Sequence, residues 1–306
     1  MEIEVEYKDN NGLISRQIHK MSRLAFIKHF GFVGQGYSKN YEKILRSLAM
    51  LLHYLYYTKQ TDFDKGKFSE PPEIFSDPTE KGQFSTHAGK AIADFLSKRI
   101  NQSIYTVNYE AAMRKKNIPI IGRRPDLLAF TIDAQFAIEA KGYTGSHGDM
   151  NKHKEQSKTG GIPVNYSIAC VSYNMYSKVK VKYYDPSNEN VEYDYKLLND
   201  LTKEYYKSFI DLLDIKEFEH NAININGEKF TELQMSRKYL EIILNEYIYH
   251  SYWGLNIEKL SIILPHQLEM FAENGISKDI KPFFFYHKSE NDNIYIDNDR
   301  IGLKLI

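Results

Sequence analysis

Arg124-Pro125-Asp126-Leu127-Leu128-Ala129-Phe130-Thr131-Ile132, then Asp133-Ala134, then Gln135-Phe136-Ala137-Ile138-Glu139-Ala140-Lys141, is the stretch that decides how this chain is read. Strand side chains alternate between faces, so Phe136, Ile138 and Ala140 point one way while Ala137, Glu139 and Lys141 point the other. One face suits a core; the other ends in an acid and a base. Upstream, Leu127, Leu128, Phe130 and Ile132 read as a partner strand opened by Pro125, where no ladder donor is needed. Asp133-Ala134 is expected to turn the chain, with Ile132 facing Gln135. That register sets Asp126 opposite Lys141 and on the face of Glu139. A slip of one residue would move the aspartate to the other face.

Two carboxylates and an ammonium on one face suit phosphodiester chemistry. Mg²⁺ prefers oxygen ligands and is often held by one or two carboxylates together with substrate phosphate and water. Asp126 and Glu139 can hold such an ion, which would polarise a phosphoryl oxygen and acidify a bound water. Lys141 can orient that water or neutralise charge in the transition state. The plain alternative is a surface hairpin carrying a solvated Glu139–Lys141 pair, worth well under ~1 kcal/mol. Gly142, Gly145 and Gly148 follow immediately and loosen the backbone where a polymer must approach.

Pro125-Asp126 followed by Glu139-Ala140-Lys141 on an apolar strand resembles the signature of the PD-(D/E)XK, or restriction-endonuclease-like, nucleases. The resemblance covers roughly residues 84–185. It implies an α/β fold with a mixed central β-sheet flanked by helices, and Mg²⁺-dependent DNA hydrolysis in which Mn²⁺ substitutes. It implies Asp126, Glu139 and Lys141 as catalytic residues, with Asp126, Glu139 and the Ala140 backbone carbonyl as metal ligands. Many members add an acid from the preceding helix, expected here over Thr86–Arg99 with Thr86 as its cap. That position carries His87 or Lys90, and His87, Asp94 and Glu110 stay open as the accessory residue. Gln156 matches the glutamine of a Gln-X-X-X-Tyr helix found in RecB-type relatives, but Gly160 stands where the tyrosine would be.

Lys plus Arg and Asp plus Glu number 40 each, so nucleic-acid binding must rest on local patches. Arg123, Arg124, Lys152, Lys154 and Lys158 bracket the hairpin and are the candidate DNA contacts; Arg114-Lys115-Lys116 and Lys178, Lys180 and Lys182 form further basic groups. Cys170 is the only cysteine and reads as a small buried residue on a core strand, with no disulfide or zinc spacing available. The N-terminus does not resemble a signal peptide, and the apolar run Leu48–Tyr57 is too short to span a bilayer. No membrane role and a reduced, cytoplasmic setting are expected.

Three regions are expected: residues 1–83 with a hairpin turning at Asn10-Asn11-Gly12, a helix over Tyr41–Tyr57 and a linker over Lys59–Gln83; a nuclease-like core over 84–190; and an α+β region over 191–306 packed on that core. In the last, helices are expected from Thr231 through Tyr249 and over Ile257–Ala272, with Phe283–Tyr286 as core strand. The function implied is a DNA endonuclease of restriction or anti-phage defence, acting as a homodimer or with a partner defence protein. A catalytically silent DNA- or partner-binding module and a repair or junction-resolving nuclease are the alternatives.

Overall fold

The computed structural model describes residues 1–34, 50, 53–71, 77–185, 191–235, 260–276, 286–288 and 293–305. The chain divides into two compact units, residues 1–37 with 50–197, and residues 38–49 with 198–306.

The first unit is mixed α/β. Its strands are β1 (Glu2–Lys8), β2 (Ile14–Lys20), β3 (Tyr105–Asn108), β4 (Leu127–Phe130), β5 (Gln135–Gly142), β6 (Tyr166–Tyr173) and β7 (Lys180–Tyr184). They form one seven-stranded sheet in the order β2-β1-β7-β6-β5-β4-β3. The β1–β7 and β5–β6 pairs are parallel; the rest are antiparallel. The helices are α1 (Arg23–Phe32), α2 (Gln60–Phe63), α3 (Pro78–Ile100), α4 (Tyr109–Lys115) and α5 (Met150–Ser157). The N-terminal hairpin turns where expected: Asp9 accepts the N–H groups of Asn11 and Leu13, and Gly12 supplies φ +82°. It contributes two strands to the same sheet as the Asp126–Lys141 hairpin.

Helix α3 starts earlier than Thr86. Asp77 caps it by accepting the Thr79 N–H at 2.7 Å, Pro78 occupies the first turn, and Glu80 follows. Asp-Pro-X-Glu is a strong helix start, because proline's missing donor and preset φ suit the first helical position. The expected linker over Lys59–Gln83 is therefore shortened at its end and interrupted by α2. The helix expected over Tyr41–Tyr57 lies mostly outside the described residues; its last part is a 3₁₀ turn at Leu55–Thr58.

Helix α3 crosses β5 and β6, with α1 packed against it. A Cβ on Gly142 would lie 1.7 Å from the Ser85 carbonyl oxygen, so α3 covers the face carrying Ile138, Ala140 and Gly142. Met150 of α5 packs with Ala169 and Val171, which pair with Glu139 and Lys141 in the parallel ladder. Glu139 thus lies on the α5 face. Both faces are covered, which is why β5 is buried from Gln135 through Ala140 rather than alternating as expected.

The β4–β5 turn differs from the expected one. Phe130 pairs with Gln135, and residues 131–134 form the loop. The Thr131 hydroxyl accepts the N–H groups of Asp133 and Ala134, and the Thr131 N–H donates to the Ala134 carbonyl. Threonine side-chain turns of this kind compete with ladder pairing. The ladder ends at the Leu127–Ile138 pair, and the Asp126 N–H bonds to that same Ile138 carbonyl, so Asp126 stands just beyond the ladder and not opposite Lys141 as expected.

The second unit holds α6 (Tyr195–Ile210), which begins in the first unit's residues, α7 (Leu268–Asn274) and six strands: β8 (Phe218–Ile225), β9 (Glu228–Met235), β10 (Leu260–Pro265), β11 (Tyr286–Lys288), β12 (Asn293–Ile296) and β13 (Gly302–Leu305). Their order is β11-β12-β13-β10-β9-β8, with every pair antiparallel. Asn226 and Gly227, both at positive φ, make the tight β8–β9 turn. Thr231-Glu232-Leu233 is strand, not a helix start, and Leu260–Pro265 is strand within the stretch expected to be helical. Tertiary pairing overrides the helical spacing in both places. The remainder of the expected helix through Tyr249, and Phe283–Phe285, lie outside the described residues.

Candidate active site

Asp126 follows the buried Pro125 and is fixed by its own backbone before its side chain does anything. Its N–H donates to the Ile138 carbonyl at 3.0 Å, and its carbonyl accepts the Tyr109 N–H at 3.1 Å. The carboxylate is then shared among three donors. Oδ2 accepts the Ala140 N–H at 3.1 Å and the Lys141 ammonium at 3.2 Å, while Lys90 of α3 stands 2.9 Å from Oδ1. Burial alone would raise this carboxyl, but Lys90 and Lys141 outweigh it and hold it below its usual range.

Glu139 is in the opposite condition. It has no exposed surface, and neither carboxylate oxygen accepts a hydrogen bond. Lys141 Nζ lies 2.5 Å from Oε1 as a poorly aligned ion pair. Burial, and next the charge on Asp126, push Glu139 up to about 8 despite that ammonium. Lys141 is desolvated, but the two carboxylates more than compensate and raise it.

A buried carboxylate with no hydrogen bond to Oε2 leaves room for a proton or a further cation beside the Lys141 ammonium. Among the described residues no group of three or more His, Cys, Asp or Glu side chains stands ready to hold a metal. A Mg²⁺ ion does not need one, because it keeps several waters and binds through one or two carboxylates. Asp126 and Glu139 fit that donor set. Ala140, expected to offer its carbonyl to a metal, also donates its N–H to Asp126.

The other expected residues take separate places. Gln156 of α5 donates its side-chain amide to the Arg124 carbonyl at 3.0 Å, tying α5 to the segment that delivers Asp126. Glu110 accepts from the Arg124 guanidinium, with Nε at 2.7 Å, and Arg114 lies 3.9 Å from its other oxygen. Glu110 and Arg124 are thus engaged with each other. His87 is half-buried and packs edge-on against Phe30, beside Tyr54. Asp94 is turned away into the α1–α3 packing, bonded to His29 at 2.6 Å and to Thr106 at 2.8 Å.

Arg123, Lys152 and Lys158 are exposed and Lys154 is half-buried. Lys180 and Lys182 face Glu4 and Glu6 of β1 at 3.6 and 3.4 Å, so those two members of the stripe are paired with acids of the same sheet. Lys116 is likewise engaged, by Asp194 at 2.5 Å. Cys170 is buried on β6, as expected.

Two participants were not singled out by sequence. Lys90 stands where an acid is expected, and its reach to Asp126 depends on how closely α3 approaches β5. Tyr109 fills the space beside Gly160: a Cβ there would lie 2.5 Å from the Tyr109 hydroxyl. That hydroxyl donates to the Ile162 carbonyl and accepts the Ile162 N–H. A tyrosine does meet the chain at this point, but from α4. No helix among the described residues is long and apolar enough to cross a membrane. Comparison with protein-family models, with curated proteins and with solved structures finds no match to this chain.

Proposed function

We propose that this protein is a metal-dependent DNA endonuclease of the PD-(D/E)XK type, with Asp126, Glu139 and Lys141 as its catalytic residues. The observation that carries the reading is the pairing of two carboxylates with opposite perturbations, both touching one lysine, on the covered end of a hairpin in a mixed sheet. A carboxylate pair pushed apart in this way, beside one lysine, is a candidate functional site. Glu139 is fully buried, with the Lys141 ammonium beside Oε1 and no hydrogen bond to Oε2, and a bound cation would offset the cost of burying it.

In this reading Asp126 and Glu139 hold a Mg²⁺ ion, with Mn²⁺ as a substitute. When bound, the ion supplies a Lewis acid for a phosphoryl oxygen and lowers the pKa of a water. Lys141, already between the two carboxylates, orients the attacking water and offsets charge that builds on the phosphoryl oxygens. Attack at phosphorus breaks the bond to the 3′ oxygen and leaves a 5′-phosphate. The Ala140 N–H and Gln156 act as positioning groups, the first on the Asp126 carboxylate and the second on the Arg124 carbonyl. In this reading Arg123, Lys152, Lys154 and Lys158 follow the phosphate backbone, with affinity falling as salt rises. Restriction or anti-phage defence, and a homodimer or defence partner, follow from the nuclease resemblance by analogy.

The test is a substrate panel. Purified protein with Mg²⁺ is offered supercoiled plasmid, linear duplex, single-stranded DNA and RNA, beside EDTA controls. Cutting of DNA that stops with EDTA supports the reading. Tight DNA binding without cutting, in Mg²⁺ or Mn²⁺, would point instead to a silent binding module.

A further inference from the structure

Two ammonium groups converge on Asp126 where one is needed. Lys141 reaches Oδ2 from β5, and Lys90 reaches Oδ1 from α3. Together with the Ala140 N–H, they leave little of the carboxylate open to another ligand. Lys90 arrives there because its neighbour Gly89 sits directly against β5: a Cβ on Gly89 would be 2.5 Å from the Gly142 nitrogen and 2.6 Å from the Lys141 carbonyl oxygen. The helix is pressed onto the strand at the residue before the lysine.

This geometry creates a conflict within the site. A divalent cation held by Asp126 must take an oxygen that an ammonium now occupies, and two positive groups cannot share it without repulsion. Lys141 is bound to both carboxylates, Glu139 on its own strand and Asp126 just before β4. Lys90 is the more dispensable partner: it meets Asp126 from a separate helix, whereas the equally exposed Lys141 is also paired with Glu139. A lysine is a compact charge on a flexible stem, able to swing between anions.

Resting on the nuclease reading, we infer that Lys90 is a phosphate ligand held in reserve on Asp126. Its ion pair competes with the divalent cation, and the cation's entry releases it onto the backbone phosphate of the DNA. Cation and DNA then bind cooperatively, because each favours the state in which Lys90 has left Asp126, and the coupling is reciprocal. Lys90 is thereby a substrate-binding residue of the loaded site and a brake on the empty one.

The experiment uses the full chain with Ca²⁺, Mg²⁺ or Mn²⁺ and a duplex oligonucleotide carrying a non-cleavable phosphorothioate, by titration calorimetry and fluorescence anisotropy. Wild type, Lys90→Met and Lys90→Arg are compared, with thermal unfolding as the check on folding. Without DNA, Lys90→Met is expected to bind the cation roughly threefold to tenfold more tightly, the scale of a partly exposed ion pair. With DNA, the same variant is expected to lose the cation-dependent gain in oligonucleotide affinity, while Lys90→Arg retains most of it. Unchanged or weaker cation binding by a folded Lys90→Met, or full retention of the coupling, would overturn the inference alone. A wild type that binds no cation at all would remove the nuclease reading with it.

Discussion

Gly89 of α3 lies so close to β5 that a methyl group on its Cα would stand 2.6 Å from the Lys141 carbonyl oxygen and 2.5 Å from the Gly142 nitrogen. Both neighbours are backbone of the strand that carries the site. The only relief is a shift of helix against sheet, and that shift moves Lys90 away from Asp126.

Gly89→Ala should therefore destabilise the protein by about 1–3 kcal/mol, the usual cost of overpacking. The opposing gain in helix propensity is at most ~1 kcal/mol. Urea denaturation checks the sign. An alanine variant as stable as wild type would mean that α3 and β5 are less tightly apposed than described.

The buried Asp94 cluster governs acid stability. Burial alone would raise this carboxyl, but Lys98, His29 and Lys28 outweigh it and hold it down to about 2. An ordinary aspartate titrates near ~3.9. Its contribution is thus fully present above that value and is lost as pH falls through about 2. Asp94→Ala, which strands a buried ion-pair partner, is expected to cost about 3–5 kcal/mol near neutrality. Denaturation from pH 6 down to pH 2 should show the gap to wild type closing at the acid end; a constant gap would contradict the ion-pair account.

Glu139 works in the other direction. Raised to about 8 by burial and by Asp126, it favours the folded state while protonated, and that contribution fades as pH climbs from the ordinary glutamate range through about 8. In EDTA, wild type should lose more stability across that window than Glu139→Gln, whose remaining loss comes from groups such as Asp185, raised to about 6 by burial. Adding a divalent cation should reverse the trend, because the bound form needs the ionised carboxylate. Chemical denaturation at pH 5, 7 and 8.5 decides; equal pH slopes for the two proteins would show that Glu139 is not the buried acid described.

The hairpin was legible because Leu127–Phe130 and Gln135–Gly142 are apolar runs on either side of a short polar turn, and Asp126, Glu139 and Lys141 do come together at its end. The exact register was not, because Thr131 spends its hydroxyl on a side-chain turn that a strand pattern ending at Ile132 does not reveal. Helix α3 was visible in its apolar half, while its start at Asp77-Pro78 was masked by the prolines and glycine read as linker. Lys90 and Tyr109 reach the site region through packing across the sheet. No local spacing encodes such long-range approach. The strands at Thr231–Leu233 and Leu260–Pro265 failed for the same reason, since their helical periodicity is decided by partners far along the chain.

The central claim is that Asp126 and Glu139 are one cation-dependent phosphodiester-cleaving pair served by Lys141. The most direct measurement is the single-turnover rate of plasmid cleavage in Mg²⁺ for wild type, Asp126→Asn, Glu139→Gln and Lys141→Met, all shown to be folded. Each single variant should lower the rate by roughly a hundredfold or more, and the double variant Asp126→Asn with Glu139→Gln should fall little further, because residues acting as one unit are non-additive. Cutting by any of the three single variants at the wild-type rate would contradict the account.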